Sequence, residues 1–369
     1  MSKLAALSLN GFQSIKRLEL EFKDINILIG ANGAGKSNLI RFFSMLNCML
    51  TGGLRSFTIK NGGASSLLHY GPKVTPEISA QLFFESQTGL NSYSVVLQHA
   101  ANDTLFYSHE EIAYKSYGLE DRMPFQKKFD GGHTESIFCD IEDLGGATKT
   151  TAHFIQKAMS MWRVFHFHDT SPESRIKQAN SIHDNIYLRH NAGNLASFLY
   201  AMQNSQPQFY KRIVRTIQMV APFFHDFVLA PEGESIILRW EPKGADTIFG
   251  PHQISDGTLR FMALATLLLQ PSLPETIVID EPELGLHPYA LLLLSDLVKK
   301  ASTQSQILIA TQSEPLLDHF DTDNIIVVDH RSGCSEFKRL HAEDLSHWRE
   351  EYTVSQQWSM NVFGGRPGL

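Results

Sequence analysis

"LIGANGAGKSN" (residues 28–38) reads as the end of a strand, a glycine-rich loop and the first turn of a helix. Upstream, "INILIG" is a continuous apolar run that closes on Gly30, the pattern of a central strand covered on both faces. Downstream, "KSNLIRFFSMLNCML" continues as a helix. Gly30, Gly35, Lys36 and Ser37 match G-x-x-x-x-G-K-[ST]. In that arrangement backbone N–H groups wrap phosphates, the lysine reaches the β and γ oxygens, and the hydroxyl holds Mg2+. Asn32, Gly33 and Asn38 complete the expected ATP-binding set.

A phosphate loop needs an acidic partner at the end of another buried strand, and "TIVIDEP" supplies one. Asp280 is expected to hold Mg2+ through water and Glu281 to polarise the attacking water. Lys36 and Asp280 lie far apart in the chain, so a compact phosphate-loop core requires a large insertion between them. Shortly before Asp280 comes "ISDGTLRFMALATLLLQ", in which Ser255, Asp256 and Gly257 precede an almost wholly apolar helix. Taken alone this is an ordinary N-cap. Beside a Walker-type acidic strand it reads as a second phosphate site, with free N–H groups, a hydroxyl and a glycine that permits close approach.

Around these motifs the chain divides into three. Residues 1–73 open with alternating strand language, as in "RLELEF", where Leu18, Leu20 and Phe22 alternate with Arg17, Glu19 and Glu21, and carry the phosphate loop. Residues 74–249 read as an inserted lobe, first an antiparallel sheet and then, between about 149 and 221, a helical section with Phe209, Ile213, Ile217 and Val220 on one stripe. Residues 250–369 return to buried strands, "ETIVIDE", "QILIAT" and "NIIVVD", alternating with helices. That alternation predicts an α/β fold with parallel strand pairs inside a mixed sheet.

The 369 residues suffice for a sizeable core, and 43% apolar with 19% charged is ordinary globular composition. Three scattered cysteines, Cys48, Cys139 and Cys334, with no C-x-x-C pair, suggest neither a disulfide framework nor a zinc knuckle and suit a reducing cytoplasm. No apolar run approaches the roughly 20 residues of a membrane helix, and no signal-peptide pattern is visible. A net charge of -7 argues against a surface that is a nucleic-acid platform throughout, although "FQKKF" and "YKRIVRT" form local basic clusters.

Together "GANGAGKSN", "ISDGTLRF" and "IVIDEPELGLHP" resemble the Walker A, signature, and Walker B with D-loop motifs of ABC-class ATPases, in the SMC and RecF-like branch of stand-alone bacterial AAA-family ATPases. Segments such as "FHFHDTSPES", "LRHNAGNLASFLYAM" and "WSMNVFGGRP" extend the likeness over nearly the whole chain. The resemblance implies a head-to-tail homodimer with two ATP molecules between Walker A of one subunit and the signature of the other. Ser255 and Gly257 would then contact the γ-phosphate in trans, and residues 283–287 would form the D-loop. Where many ABC ATPases have a switch histidine, this chain has Gln312, which hydrogen-bonds but does not become a cation near neutral pH, so slow turnover is expected. Gln81 is the candidate Q-loop residue. "FHFHDTS" places His166 and His168 on one strand face near Asp169, but no third metal ligand at suitable spacing accompanies them.

The functional expectation is an ATPase that regulates or senses in bacterial anti-phage defence, acting with a separate effector protein such as a nuclease. Its support is that motor motifs fill the chain and no nuclease-type acidic cluster or catalytic Cys/His arrangement is left over. The alternative is a RecF-like repair ATPase that clamps DNA directly, which would need a basic groove.

Overall fold

The computed structural model describes residues 3–118, 123–341, 353–362 and 364. Of the tail quoted above, Phe363 and residues 365–367 lie outside the described residues. The chain forms two compact units, Met1–Trp162 with Thr322–Leu369, and Arg163–Asp321.

In the first unit, β1 (Lys3–Phe12) and β2 (Ile15–Glu21) pair antiparallel, and β2 buries Leu18 and Leu20 while Arg17 and Glu19 face solvent. Strand β3 (Ile25–Ile29) is buried along its whole length. Its single polar member, Asn26, is tolerated there because its carboxamide donates to Lys23 O at 2.7 Å and accepts from Lys23 N at 3.0 Å. Helix α1 (Lys36–Met49) follows, burying Leu39, Phe42, Phe43 and Leu46, and then the short helices α2 (Leu54–Lys60) and α3 (Ala64–Leu67). The meander β4 (Glu77–Glu85), β5 (Gly89–Ala100), β6 (Thr104–Ser116) and β7 (Phe125–Phe129) extends the sheet to the order β2-β1-β4-β5-β6-β7. "FQKKF" is therefore the edge strand β7, where exposed lysines discourage edge-to-edge pairing; Lys128 lies 3.8 Å from Glu111 on β6. Helix α4 (Gly146–Ser160) packs on β5, β6 and α1. Trp162, just beyond it, meets Phe43 edge-on at 5.1 Å and accepts a bond from Asn47 Nδ2 at 3.2 Å.

Strand β8 (Trp162–Phe165) carries the chain into the second unit, so the helical section expected from about residue 149 is interrupted after α4. From there to Asn194 the chain is mostly loop, with the two-residue strand β9 (Asn180–Ser181), because His, Asp, Ser, Pro and Asn dominate. The predicted helical section is thus split. Helices α5 (Leu195–Ser205) and α6 (Pro207–Val220) resume it. The buried stripe of α6 is Tyr210, Ile213, Val214 and Ile217, rotated from the predicted Phe209, Ile213, Ile217 and Val220. Tyr210 can turn inward because its hydroxyl donates to Asp226 Oδ1 at 2.6 Å. Short strands β10 (Phe224–Phe227), β11 (Ser235–Ile236) and β12 (Trp240–Pro242) lead to α7 (Asp256–Leu269), whose last turns are wholly buried. Strand β13 (Thr276–Asp280), α8 (Pro288–Ala301), β14 (Gln306–Thr311) and α9 (Glu314–Leu317) complete the unit. Strands β13 and β14 run parallel, Ile277 beside Ile307 and Ile279 beside Ile309, with β8 on the far side of β13.

The chain then returns to the first unit. Strand β15 (Ile325–Arg331) lies parallel to β3, Ile326 opposite Leu28, and β16 (Cys334–Arg339) folds back antiparallel on β15. Helix α10 (Val354–Ser359) is capped by Thr353. The α/β class with mixed parallel and antiparallel pairing agrees with the sequence reading. Among the described residues no helix is long and apolar enough to cross a membrane.

The antiparallel sheet buries one carboxylate completely. Glu110 Oε1 accepts from Tyr93 Oη and Ser136 Oγ, each at 2.6 Å, and Oε2 accepts from Ile137 N at 3.1 Å and lies 2.8 Å from His133 Nε2. Burial, reinforced by the Glu110 charge, pushes the Tyr93 phenol well above its usual range, so it is a firm donor. Tyr93→Phe is expected to cost about 1–3 kcal/mol, because a buried acceptor then loses a donor. A shifted urea midpoint at unchanged slope checks it.

Candidate nucleotide site

The phosphate loop belongs to the first unit. Strand β3 ends at Ile29, and Gly30 passes so near Val328 that a β-carbon would lie 2.2 Å from its carbonyl oxygen. Gly35, at the N-cap of α1, has φ +114, and a β-carbon there would lie 2.0 Å from Ser335 Oγ. Both glycines are therefore imposed by geometry. Gly33, also left-handed at φ +78, has open space around it and forms the exposed tip with Asn32. Lys36 turns back over the loop, its Nζ donating to Gly30 O at 2.5 Å and Ala31 O at 3.1 Å, and only 5% of the residue is exposed. Ser37 is exposed on the first turn of α1, suitable for a metal-bound phosphate. Asn38 is a brace: its Nδ2 donates to Ser14 Oγ at 2.5 Å, and Ser14 shares a 2.6 Å hydrogen bond with Ser335.

The second unit holds Ser255, Asp256, Gly257, Asp280, Glu281 and Gln312. Ser255 caps α7 through its hydroxyl, which accepts from Thr258 N at 3.2 Å. A β-carbon on Gly257 would stand 2.1 Å from Gly285 O, so the signature turn and the loop after β13 touch backbone to backbone. Arg260, one turn into α7, fastens the same region. It donates to Leu284 O at 3.2 Å, Phe167 O at 3.2 Å, His168 O at 2.8 Å and Thr170 Oγ1 at 3.0 Å. Asp256 is half exposed, 3.3 Å from the Nζ of buried Lys177.

Asp280 ends β13 with its carboxylate 3.6 Å from His166 Nδ1, and its carbonyl 2.8 Å from His168 Nε2. "FHFHDTS" is thus a brace for the acidic strand, while Asp169 caps its own turn through Ser171 at 2.7 Å. Among the described residues no group of three His, Cys, Asp or Glu side chains has metal-site geometry. Glu281 has φ +43, an uncommon conformation for a side chain with a β-carbon, fixed by its N–H bond to Ala310 O at 2.7 Å. Gln312 Nε2 donates to Glu281 Oε1, so the predicted base and switch residues are in direct contact.

Sequence reasoning missed the role of Glu283. Its Oε1 accepts from Thr311 Oγ1 at 2.5 Å and from Gln312 N at 3.0 Å, so it fixes the backbone of the switch segment. Its Oε2 is buried with no hydrogen-bond partner among the described residues. Arg260 and Lys177 were missed too; for Arg260 the available signal was a cation inside an otherwise apolar helix. Gln81 sits mid-strand on β4, opposite Ser8 and Ser94, on the solvent face.

The sequence matches, over residues 25–318, the family model described as "AAA domain, putative AbiEii toxin, Type IV TA system". No curated protein matches it. The fold is similar to an SMC head bound to the C-winged helix domain of ScpA, at TM-score 0.56 and 17% identity over 93% of this chain and 99% of that one. It is similar to a Pyrococcus furiosus Smc head bound to the C-terminal domain of ScpA, at TM-score 0.54 and 17% identity over 95% of this chain and 99% of that one. A Pyrococcus yayanosii Smc head with coiled coil and joint gives TM-score 0.51 at 12% identity, over 95% of this chain and 99% of that one. At these identities the likeness is one of fold.

Burial holds the Glu283 carboxyl above its usual 4.5, against the pull of its bonds from Thr311 and Gln312. Between the unfolded value and that raised one, the folded state keeps a proton the unfolded chain has lost, so this group's stabilising effect is lost as pH rises. Glu283→Gln removes the dependence. The variant's urea midpoint relative to wild type is expected to improve from pH 4.5 to pH 8; a pH-independent difference would contradict the assignment.

Proposed function

The chain belongs to the AAA-domain family matched over residues 25–318; from that premise we propose that it is an ATPase of the SMC/ABC-like kind, two copies of which close on two ATP molecules and open on hydrolysis. In this reading an ATPase head made of residues 1–73 and 250–369 is interrupted by a lobe, residues 74–249. The loop from Gly30 to Asn38, with Asn32, Gly33 and Gly35 at its turns, holds the triphosphate, and Lys36 bridges the β and γ oxygens. Ser37 and Asp280 would hold Mg2+, an ion that prefers oxygen donors of the kind both side chains supply. Glu281 takes the proton of the attacking water, and Gln312 orients it. Ser255, Asp256 and Gly257 face the γ-phosphate bound by the other copy.

One observation carries most weight. Gln312 donates to Glu281, and Glu283 in turn holds the Gln312 backbone N–H and the Thr311 hydroxyl, so base, switch and D-loop form one hydrogen-bonded chain that a γ-phosphate would reorganise. Because Gln312 stays neutral, turnover is slow, which suits a timer or sensor better than a motor.

We assign the protein to bacterial anti-phage defence as a cytoplasmic regulator of a separate effector such as a nuclease. Two observations support this. The family description names a putative toxin of a type IV TA system, and the recognised motor motifs leave no second catalytic constellation in the sequence. The RecF-like alternative, direct clamping of DNA, is decided by the same experiment. Tagged Glu281→Gln purified from its host with ATP should retain a stoichiometric second protein of nuclease or toxin character. Nucleic acid retained without protein would replace the regulator reading by the clamp.

Glu281→Gln is expected to bind ATP normally and lose turnover by about 100-fold or more, as loss of a general base implies. Lys36→Ala and Ser255→Arg should each be inactive alone. Mixed, they form heterodimers in which one composite site is intact, so part of the activity should reappear; no recovery would remove the assignment of Ser255 in trans.

A further inference from the structure

The face of the antiparallel sheet under α4 is apolar along most of β5 and β6, but not at the start of β5. A concave cavity of about 430 Å³ lies there, in the size range of small-molecule sites. Asn91 and Tyr114 line it from the sheet, Phe125 from the edge strand, and Ala147, Thr151 and Phe154 from α4. All belong to one compact unit.

Two of these side chains are anomalous. Asn91 occupies the buried row of β5 continued by Tyr93 and Val95, and is only 4% exposed. Thr151 on α4 is 6% exposed. No described residue hydrogen-bonds the Asn91 carboxamide or the Thr151 hydroxyl. Their polar atoms are not fully enclosed by protein, so they open on the cavity and are available to a ligand.

We propose that this cavity binds a neutral planar heterocycle of the nucleobase or nucleoside class. A carboxamide presents a donor and an acceptor side by side, complementary to the edge of a base, and Asn91 supplies one at the wall of the cavity. Tyr114, Phe125 and Phe154 supply aromatic surface of the kind on which bases stack. Among the described lining residues none is charged. A phosphate-bearing nucleotide would therefore lose hydration there without a counter-charge, which separates this site from the phosphate loop.

The test is calorimetric titration of the full chain, with ADP saturating the phosphate loop, using adenine, hypoxanthine, cytosine, uracil, thymine and their nucleosides as probes. At least one probe should bind one to one, and more tightly than its monophosphate. Asn91→Leu should weaken that binding on the order of tenfold or more. It should leave the thermal midpoint nearly unchanged, since the carboxamide opens on the cavity and leucine is of similar size. Ala147→Trp, which fills the cavity from α4, is the second variant and should abolish binding. The proposal is overturned if no probe gives a saturable heat with ADP present, if the heat survives unchanged in both variants, or if the monophosphate binds as well as the base.

Discussion

Gly30 crosses Val328 so closely that a β-carbon there would lie 2.2 Å from the carbonyl oxygen, and much of the architecture follows from that one close approach. It requires β3, near the start of the chain, to lie beside β15, near its end, in parallel register. Everything between must leave this body and return to it. The same approach sets the phosphate loop, because the carbonyl of Gly30 is one of the two that receive the Lys36 ammonium. Ser14 and Ser335 add a second tie between the two ends of the chain, and Asn38 reads it from the first turn of α1.

The excursion builds a second unit on the same principle of glycine-permitted contact. Gly257 and Gly285 touch through their backbones, and Arg260 collects carbonyls from both the D-loop and the "FHFHD" segment. The signature turn is thereby coupled to the strand that carries Asp280. Glu283 extends the coupling to Thr311 and Gln312 at the cost of a buried carboxylate, an arrangement that stability alone would not favour. Such a group is reasonable where a segment must hold one position until a ligand's charge releases it.

The legible parts of the sequence were those encoded by local spacing. The phosphate loop, the buried strands around it and the capped apolar helix α7 depend on residues within a few positions of one another, and each stands where the pattern puts it. What stayed hidden depends on distant partners. The side chain of Asn38 braces the loop against Ser14, a partner that no local pattern announces. The stripe of α6 is rotated because Asp226 takes the Tyr210 hydroxyl, and nothing within the helix announces that bond. The helical section expected from about residue 149 breaks at Trp162, which is fixed by Phe43 and Asn47 of α1. "FHFHD" suggested metal ligands by composition, but its histidines face Asp280 as braces.

The account rests on ATP acting as the clamp between two copies of the chain. Its most direct test is the solution mass of Glu281→Gln by light scattering, with Mg2+ and with or without saturating ATP. ATP should convert the variant to twice the 41.5 kDa chain mass, and Lys36→Ala added to the same chain should prevent the change. A Glu281→Gln protein that binds ATP and remains a monomer at saturation would contradict the account.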